Sequence, residues 1–141
     1  MAEKKKTIRL EVITPDAAIF QGDVDFVLVR ALDGDLGVMP AHAPLIASLQ
    51  SWPLMYEISG SQQGLFVEGG FLEVVDNAVT VIAPVAELLA DIDVKRAERA
   101  RKRAEERLGH RTPDIDVERA KLALHRALGR IATVDQFGKK H

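Results

Sequence analysis

Two stretches of this chain, 23 residues apart, carry nearly the same text: DIDVKRAERARKRAEERL at 91–108 and DIDVERAKLALHRALGRI at 114–131. Both are dominated by Ala, Arg, Leu and Glu, which lose little freedom on entering a helix. Asp93 and Asp116 stand where an N-cap carboxylate would accept the free amides of a first turn. The intervening GHRTPD (109–114) supplies Gly and then Pro, the punctuation expected between helices. The repeat therefore predicts two helices of like design, folded as an antiparallel hairpin over about 91–132. The closing TVDQFGKKH is expected to fray.

The preceding sequence has a different period. In TIRLEVIT (7–14), Ile8, Leu10 and Val12 alternate with Arg9 and Glu11, the pattern of a half-buried strand. VDFVLVRAL (24–32), GLFVE (64–68), GFLEVV (70–75) and AVTVIA (78–83) follow, broken by PD at 15–16, GG at 69–70 and DN at 76–77. Residues 51–63 carry no clear period. The pattern predicts a β + α chain: an N-terminal antiparallel β-sandwich over 1–84 and a helical part over 85–141, with Pro84 in the link.

Charge divides at the same place. Residues 1–90 hold 5 Lys/Arg and 12 Asp/Glu, a net −7, whereas residues 91–141 hold 14 and 9, a net +5. Modules of opposite sign can attract each other, and the basic half can also receive an anion. The chain has no cysteine, which excludes a disulfide framework and a thiolate zinc site. Its apolar runs fall well short of the roughly 20 residues that span a bilayer. MAEKKK lacks the apolar stretch of a secretory signal and reads as a solvated tail.

At about 100° per residue, Arg96, Arg99, Arg103 and Arg107 fall on one stripe of the first helix, beside an alanine seam of Ala97, Ala100 and Ala104 that continues to Leu108. The second helix repeats this with Arg119, Arg126 and Arg130 beside Ala120, Ala123, Ala127 and Ile131. Folding the hairpin near residue 111 sets Arg126 opposite Ala97 and Arg130 opposite Asp93. Arg96, Arg126 and Arg130 then converge at its open end, with Arg103 about 10 Å along. Nearby acids are too few to neutralise them all, with Glu106 at the edge of the stripe. Crowded like charges oppose closure, while an alanine seam, at about 0.8 kcal/mol per buried methyl, holds it weakly. Guanidinium forks bind phosphate through paired hydrogen bonds, so this arrangement can act as a polyphosphate clasp. The plain alternative is a solvated basic face.

The loop GDLGVMPAHAPL (34–45), the block VEGGFLEVVDNAVTVIA (67–83) and DIDVKRA (91–97), in this order, resemble the epsilon subunit of bacterial F-type ATP synthases over about residues 7–132. The resemblance implies a central-stalk protein whose sandwich binds the gamma subunit and the c subunits of the rotor ring. Its helices would contact gamma and reach toward the alpha/beta catalytic head. Such a subunit couples proton-driven rotation to ATP synthesis and inhibits ATP hydrolysis. It would sit peripherally at the cytoplasmic face of the bacterial membrane, meeting the membrane only through the complex.

In some members of that family the compact hairpin binds ATP through an Ile-Asp-x-x-Arg-Ala motif. Here Ile92, Asp93, Arg96 and Ala97 match it, Arg103, Arg126 and Arg130 match further basic positions, and Glu87 matches an acid before the hairpin. ATP would be a regulatory ligand; whether magnesium accompanies it stays open. Asp35 and His42 fall in the loop implied to touch the ring. Read alone, Asp35 is a turn former between glycines, and His42 a loop-bracing or interface residue with no nucleophile beside it.

Two rival readings remain. The same subunit can carry a constitutive hairpin whose arginines pair with acidic surfaces of the head. A basic hairpin can also bind nucleic acid, but the acidic first half and the lack of stacking aromatics in the basic half argue against that. No Gly-x-x-x-x-Gly-Lys-Ser/Thr occurs, the four histidines lack zinc-ligand spacing, and no nucleophile–base set is visible, so an enzyme is not expected.

Overall fold

The computed structural model describes residues 6–138. Ten strands precede two helices. The strands are β1 (Ile8–Ile13), β2 (Ala18–Val24), β3 (Phe26–Ala31), β4 (Gly34–Val38), β5 (Leu45–Ser48), β6 (Trp52–Ile58), β7 (Ser61–Val67), β8 (Phe71–Val75), β9 (Ala78–Ile82) and β10 (Ala86–Leu88). After a 3-10 turn at Leu89–Asp91 come α1 (Val94–Gly109) and α2 (Val117–Phe137). The strands form two five-stranded sheets, ordered β2-β1-β9-β8-β5 and β10-β7-β6-β3-β4. Pairing is antiparallel except between β1 and β9, which run parallel. The fold is thus the expected sandwich followed by a helical hairpin.

Period two explains the core. Ile8, Leu10 and Val12 of β1, Leu72 and Val74 of β8, and Val79 and Val81 of β9 are all buried, facing Val27, Val29, Leu54, Leu65 and Val67 of the other sheet. This core is aliphatic, as a chain with 5% aromatics requires.

Three sequence expectations change. The indistinct stretch 51–63 is the β6–β7 hairpin, turning at Ser59 and Gly60, both at positive φ. It shows little alternation because both faces of β7 are covered: Leu65 and Val67 face the sandwich core, whereas Gly64, Phe66 and Glu68 face α2. Asp35 is not at a loop tip. It lies within β4, directly across from Arg30 of β3. Finally, α2 continues to Phe137 rather than fraying after about 132, because Thr133 is fully buried and the Phe137 ring lies over Gly64. Residues 1–5 of the expected solvated tail, and residues 139–141 of the closing segment, lie outside the described residues.

Strand β10 lies beyond Pro84 and pairs with β7, setting Glu87 across from Phe66. Helix α2 packs on β6 and β7, and α1 packs on α2. Contact between helix and sheet is close. A Cβ on Gly129 would lie 2.6 Å from the Phe66 ring and 3.0 Å from the Ser51 carbonyl oxygen, so only glycine lets α2 approach this far. At the same interface the His125 ring stacks on Trp52 with centroids 5.6 Å apart, and the Arg30 guanidinium lies 4.1 Å from the centre of the Trp52 ring.

Candidate functional site

Local sequence sets both helix starts. Asp93 accepts a hydrogen bond from the Arg96 amide at 3.0 Å, and Asp116 from the Arg119 amide at 3.1 Å. The alanine seam closes as expected, with Ala97 and Ala104 of α1 and Ala120 and Ala127 of α2 all buried. Ala100 and Ala123 instead border open space. Side chains this small leave a cleft of about 390 Å³ between the helices at the open end of the hairpin.

That cleft is lined by Arg96 and Arg103 from α1 and by Arg126 and Arg130 from α2. Glu87, Asp91, Asp93 and Ala97 complete its rim. Seven of the eight residues marked by the resemblance therefore meet in one place; Ile92, half-buried, is not among the lining residues. The arginine stripe divides. Arg107 joins Arg119 in a separate groove near the turn of the hairpin, and Arg99 lines neither.

The expectation of too few acids changes in a specific way, because the sandwich supplies them. Arg130 Nε donates to Glu87 Oε1 at 2.7 Å. Glu68 Oε1 lies 3.6 Å from Arg126 Nε and 3.6 Å from an Arg130 terminal nitrogen. The Arg130 guanidinium also sits 4.7 Å from the centre of the Phe66 ring. These side chains are a quarter to somewhat over a third exposed, so each ion pair stabilises docking by about 0.2–1 kcal/mol. Glu68 could have been anticipated: two residues beyond Phe66 and four beyond Gly64, it shares their face of the strand. What hid it was the uncertain register of 51–63, which left the docking face of the sandwich undefined.

The two residues marked in the β4–β5 segment behave differently, and Asp35 shares a groove with Gln136 of α2. Asp35 is exposed and pairs with Arg30, Oδ1 to Nε at 3.4 Å. His42 is half-buried, its Nδ1 2.7 Å from the Ala43 carbonyl, which accepts from it. Around them stand exposed Leu32, Met39 and Ile46, each more than 60% accessible.

A two-layer sandwich carrying a docked, arginine-lined helical hairpin is an architecture with known relatives. The family model for the ATP synthase delta/epsilon chain beta-sandwich domain matches residues 7–89. That for the delta/epsilon chain long alpha-helix domain matches residues 90–135. The ATP synthase epsilon chain of Desulforamulus reducens is 42% identical over 130 residues, covering 92% of this chain and 98% of its own. That of Pelotomaculum thermopropionicum is 52% identical over 107 residues, covering 76% and 80%. In fold, the chain is similar to one from the Euglena gracilis mitochondrial ATP synthase, with a TM-score of 0.81 at 23% identity, covering 94% of this chain and 84% of that one. The chain belongs to the ATP synthase delta/epsilon family, among its epsilon chains. Epsilon chains are subunits of the synthase without catalysis of their own.

Proposed function

We propose that this subunit works in the central stalk as a nucleotide-responsive regulator. ATP binds the cleft of the docked hairpin, and the released hairpin extends along gamma toward the alpha/beta head to inhibit ATP hydrolysis. The observation that carries this reading is the convergence of four guanidinium groups from two helices on one cleft over a thin alanine seam. The cavity can take a triphosphate, and Arg96, Arg103, Arg126 and Arg130 would pair with its oxygens. Asp93, whose carboxylate already caps α1, has a second oxygen for the adenine amino group or for orienting Arg126. Magnesium, if bound, would be held mainly by the phosphates.

The magnitudes are suited to a switch. A ligand that binds only the docked state stabilises it by about 4 kcal/mol at a thousandfold excess over Kd. The seam contributes only a few buried methyl groups at about 0.8 kcal/mol each. Nucleotide can therefore decide the state: high ATP keeps the hairpin docked and low ATP releases it. The β4–β5 edge of the sandwich, with exposed Leu32, Met39 and Ile46 near Asp35 and His42, is the surface we assign to the c subunits of the rotor ring. Through these contacts the subunit would couple proton-driven rotation to ATP synthesis from a peripheral position at the cytoplasmic face of the bacterial membrane. No helix among the described residues is long and apolar enough to cross a membrane.

One observation favours a second reading. Arg126 and Arg130 already have carboxylate partners in Glu68 and Glu87, as a constitutively docked hairpin without nucleotide would require. Thermal unfolding of the full chain separates the two. ATP should raise the melting temperature by several degrees, and Arg126→Ala should abolish that rise. An unchanged rise in the variant rejects the clasp; no rise in the parent chain supports the constitutive hairpin.

A further inference from the structure

Glu68 stands behind the two α2 arginines on the sandwich side and is not part of the cleft lining. A single carboxylate oxygen is shared by both guanidinium groups at 3.6 Å, a distance of ion pairing rather than of a direct hydrogen bond. Glu87, by contrast, is held to Arg130 at 2.7 Å. Glu68 is thus the looser and more exchangeable partner. It directly follows β7, before the Gly69–Gly70 turn, and it faces α2 because the strand's alternation carries Gly64, Phe66 and Glu68 to one side.

The charge balance gives the contact its consequence. Arg96, Arg103, Arg126 and Arg130 are matched around the cleft by Glu68, Glu87, Asp91 and Asp93, so these charges formally cancel. An incoming polyphosphate meets Arg126 and Arg130 already engaged, with a carboxylate a few ångströms behind them. We propose that Glu68 is a built-in competing anion: it occupies Arg126 and Arg130 when no nucleotide is present, and it sets the ATP concentration at which the hairpin responds. The proposal rests on the clasp reading of the cleft and adds to it the residue that tunes its affinity. Loss of this one carboxylate leaves a net positive cleft.

The same carboxylate helps dock the hairpin without nucleotide, so its removal has two opposed effects. Docking weakens in the absence of ATP, while the docked form binds ATP more tightly. A residue that merely supports the structure would weaken both. The two are separable because the chain's one tryptophan, Trp52, stacks on His125 of α2 and reports docking by its emission. If half or more of the molecules stay docked, the apparent affinity is reduced less than about twofold. Multiplying the apparent Kd by the docked fraction gives the intrinsic value.

The test is calorimetric titration of ATP into the full chain and its Glu68→Gln and Glu68→Ala variants, with Trp52 emission read in parallel. The intrinsic Kd of both variants should fall about tenfold, the effect of freeing two partly exposed ion pairs. Binding detectable only in the variants supports the same role for Glu68. An intrinsic Kd that is unchanged or higher, with binding intact in the parent chain, overturns that role and leaves the clasp standing. No binding by parent or variants overturns both.

Discussion

His125 forms the helix side of the stack on Trp52, with a buried Nε2 that has no hydrogen-bond partner among the described residues. Burial, and then the nearby Arg30 charge, hold its pKa below the usual value of about 6.5. A base whose folded-state pKa is lowered stabilises the fold fully above its unfolded pKa, and this contribution is lost as pH falls through the folded value. Docking of α2 should therefore weaken as pH drops from 7.5 to about 5.5, seen as a change in Trp52 emission. His125→Phe should flatten that dependence, and an identical pH profile in the variant would remove His125 as its source. Nothing in the repeat itself singles His125 out, since its partner comes from β6. Local roles are easier to read. Asp93 and Asp116 precede alanine-rich runs, and each accepts from the amide three residues on. The arginines are likewise legible as a stripe, because their spacing is local. Their carboxylate partners are not: Glu68 lies 58 and 62 residues from Arg126 and Arg130, and only the tertiary fold brings them together.

At the level of elements, the helix–sheet approach at Gly129 allows a sharp prediction. Gly129→Ala should favour the isolated helix by about 1 kcal/mol, yet the added Cβ, 2.6 Å from the Phe66 ring, should cost docking about 1–3 kcal/mol. Helical circular dichroism should persist while Trp52 emission shifts toward that of an exposed indole. Unaltered emission would mean that the sheet accommodates the methyl group. The alternating strands β1, β3, β8 and β9 are readable in the sequence because each has one buried and one more open face. Strands β6 and β7 are not, because a strand covered by a core on one side and a helix on the other loses its alternation. Strand β4 is hidden by glycines that look like a turn, although Gly37 lets the Phe26 ring lie close against the strand. The end of α2 is hidden for a related reason. Val134 and Phe137 resemble tail residues, but this last turn carries the contact with Gly64.

Across the whole molecule, the opposite charges of the two halves have a definite location. The acidic sandwich meets the basic hairpin through Glu68 and Glu87, while the cleft arginines Arg96 and Arg103 have no ion pair within 4 Å among the described residues. The hairpin is thus held by a thin alanine seam, helix–sheet contacts at Gly129, Phe137 and His125, and a few partly exposed ion pairs, each small enough for a ligand to outweigh. The sandwich, with its continuous aliphatic core, has no such dependence. Hydrogen–deuterium exchange of the full chain, with and without ATP, tests this division most directly. ATP is expected to slow exchange along Val94–Gly109 and Val117–Phe137 and to leave the amides of β1, β8 and β9 unchanged; equal helix exchange in both conditions would contradict a nucleotide-held hairpin.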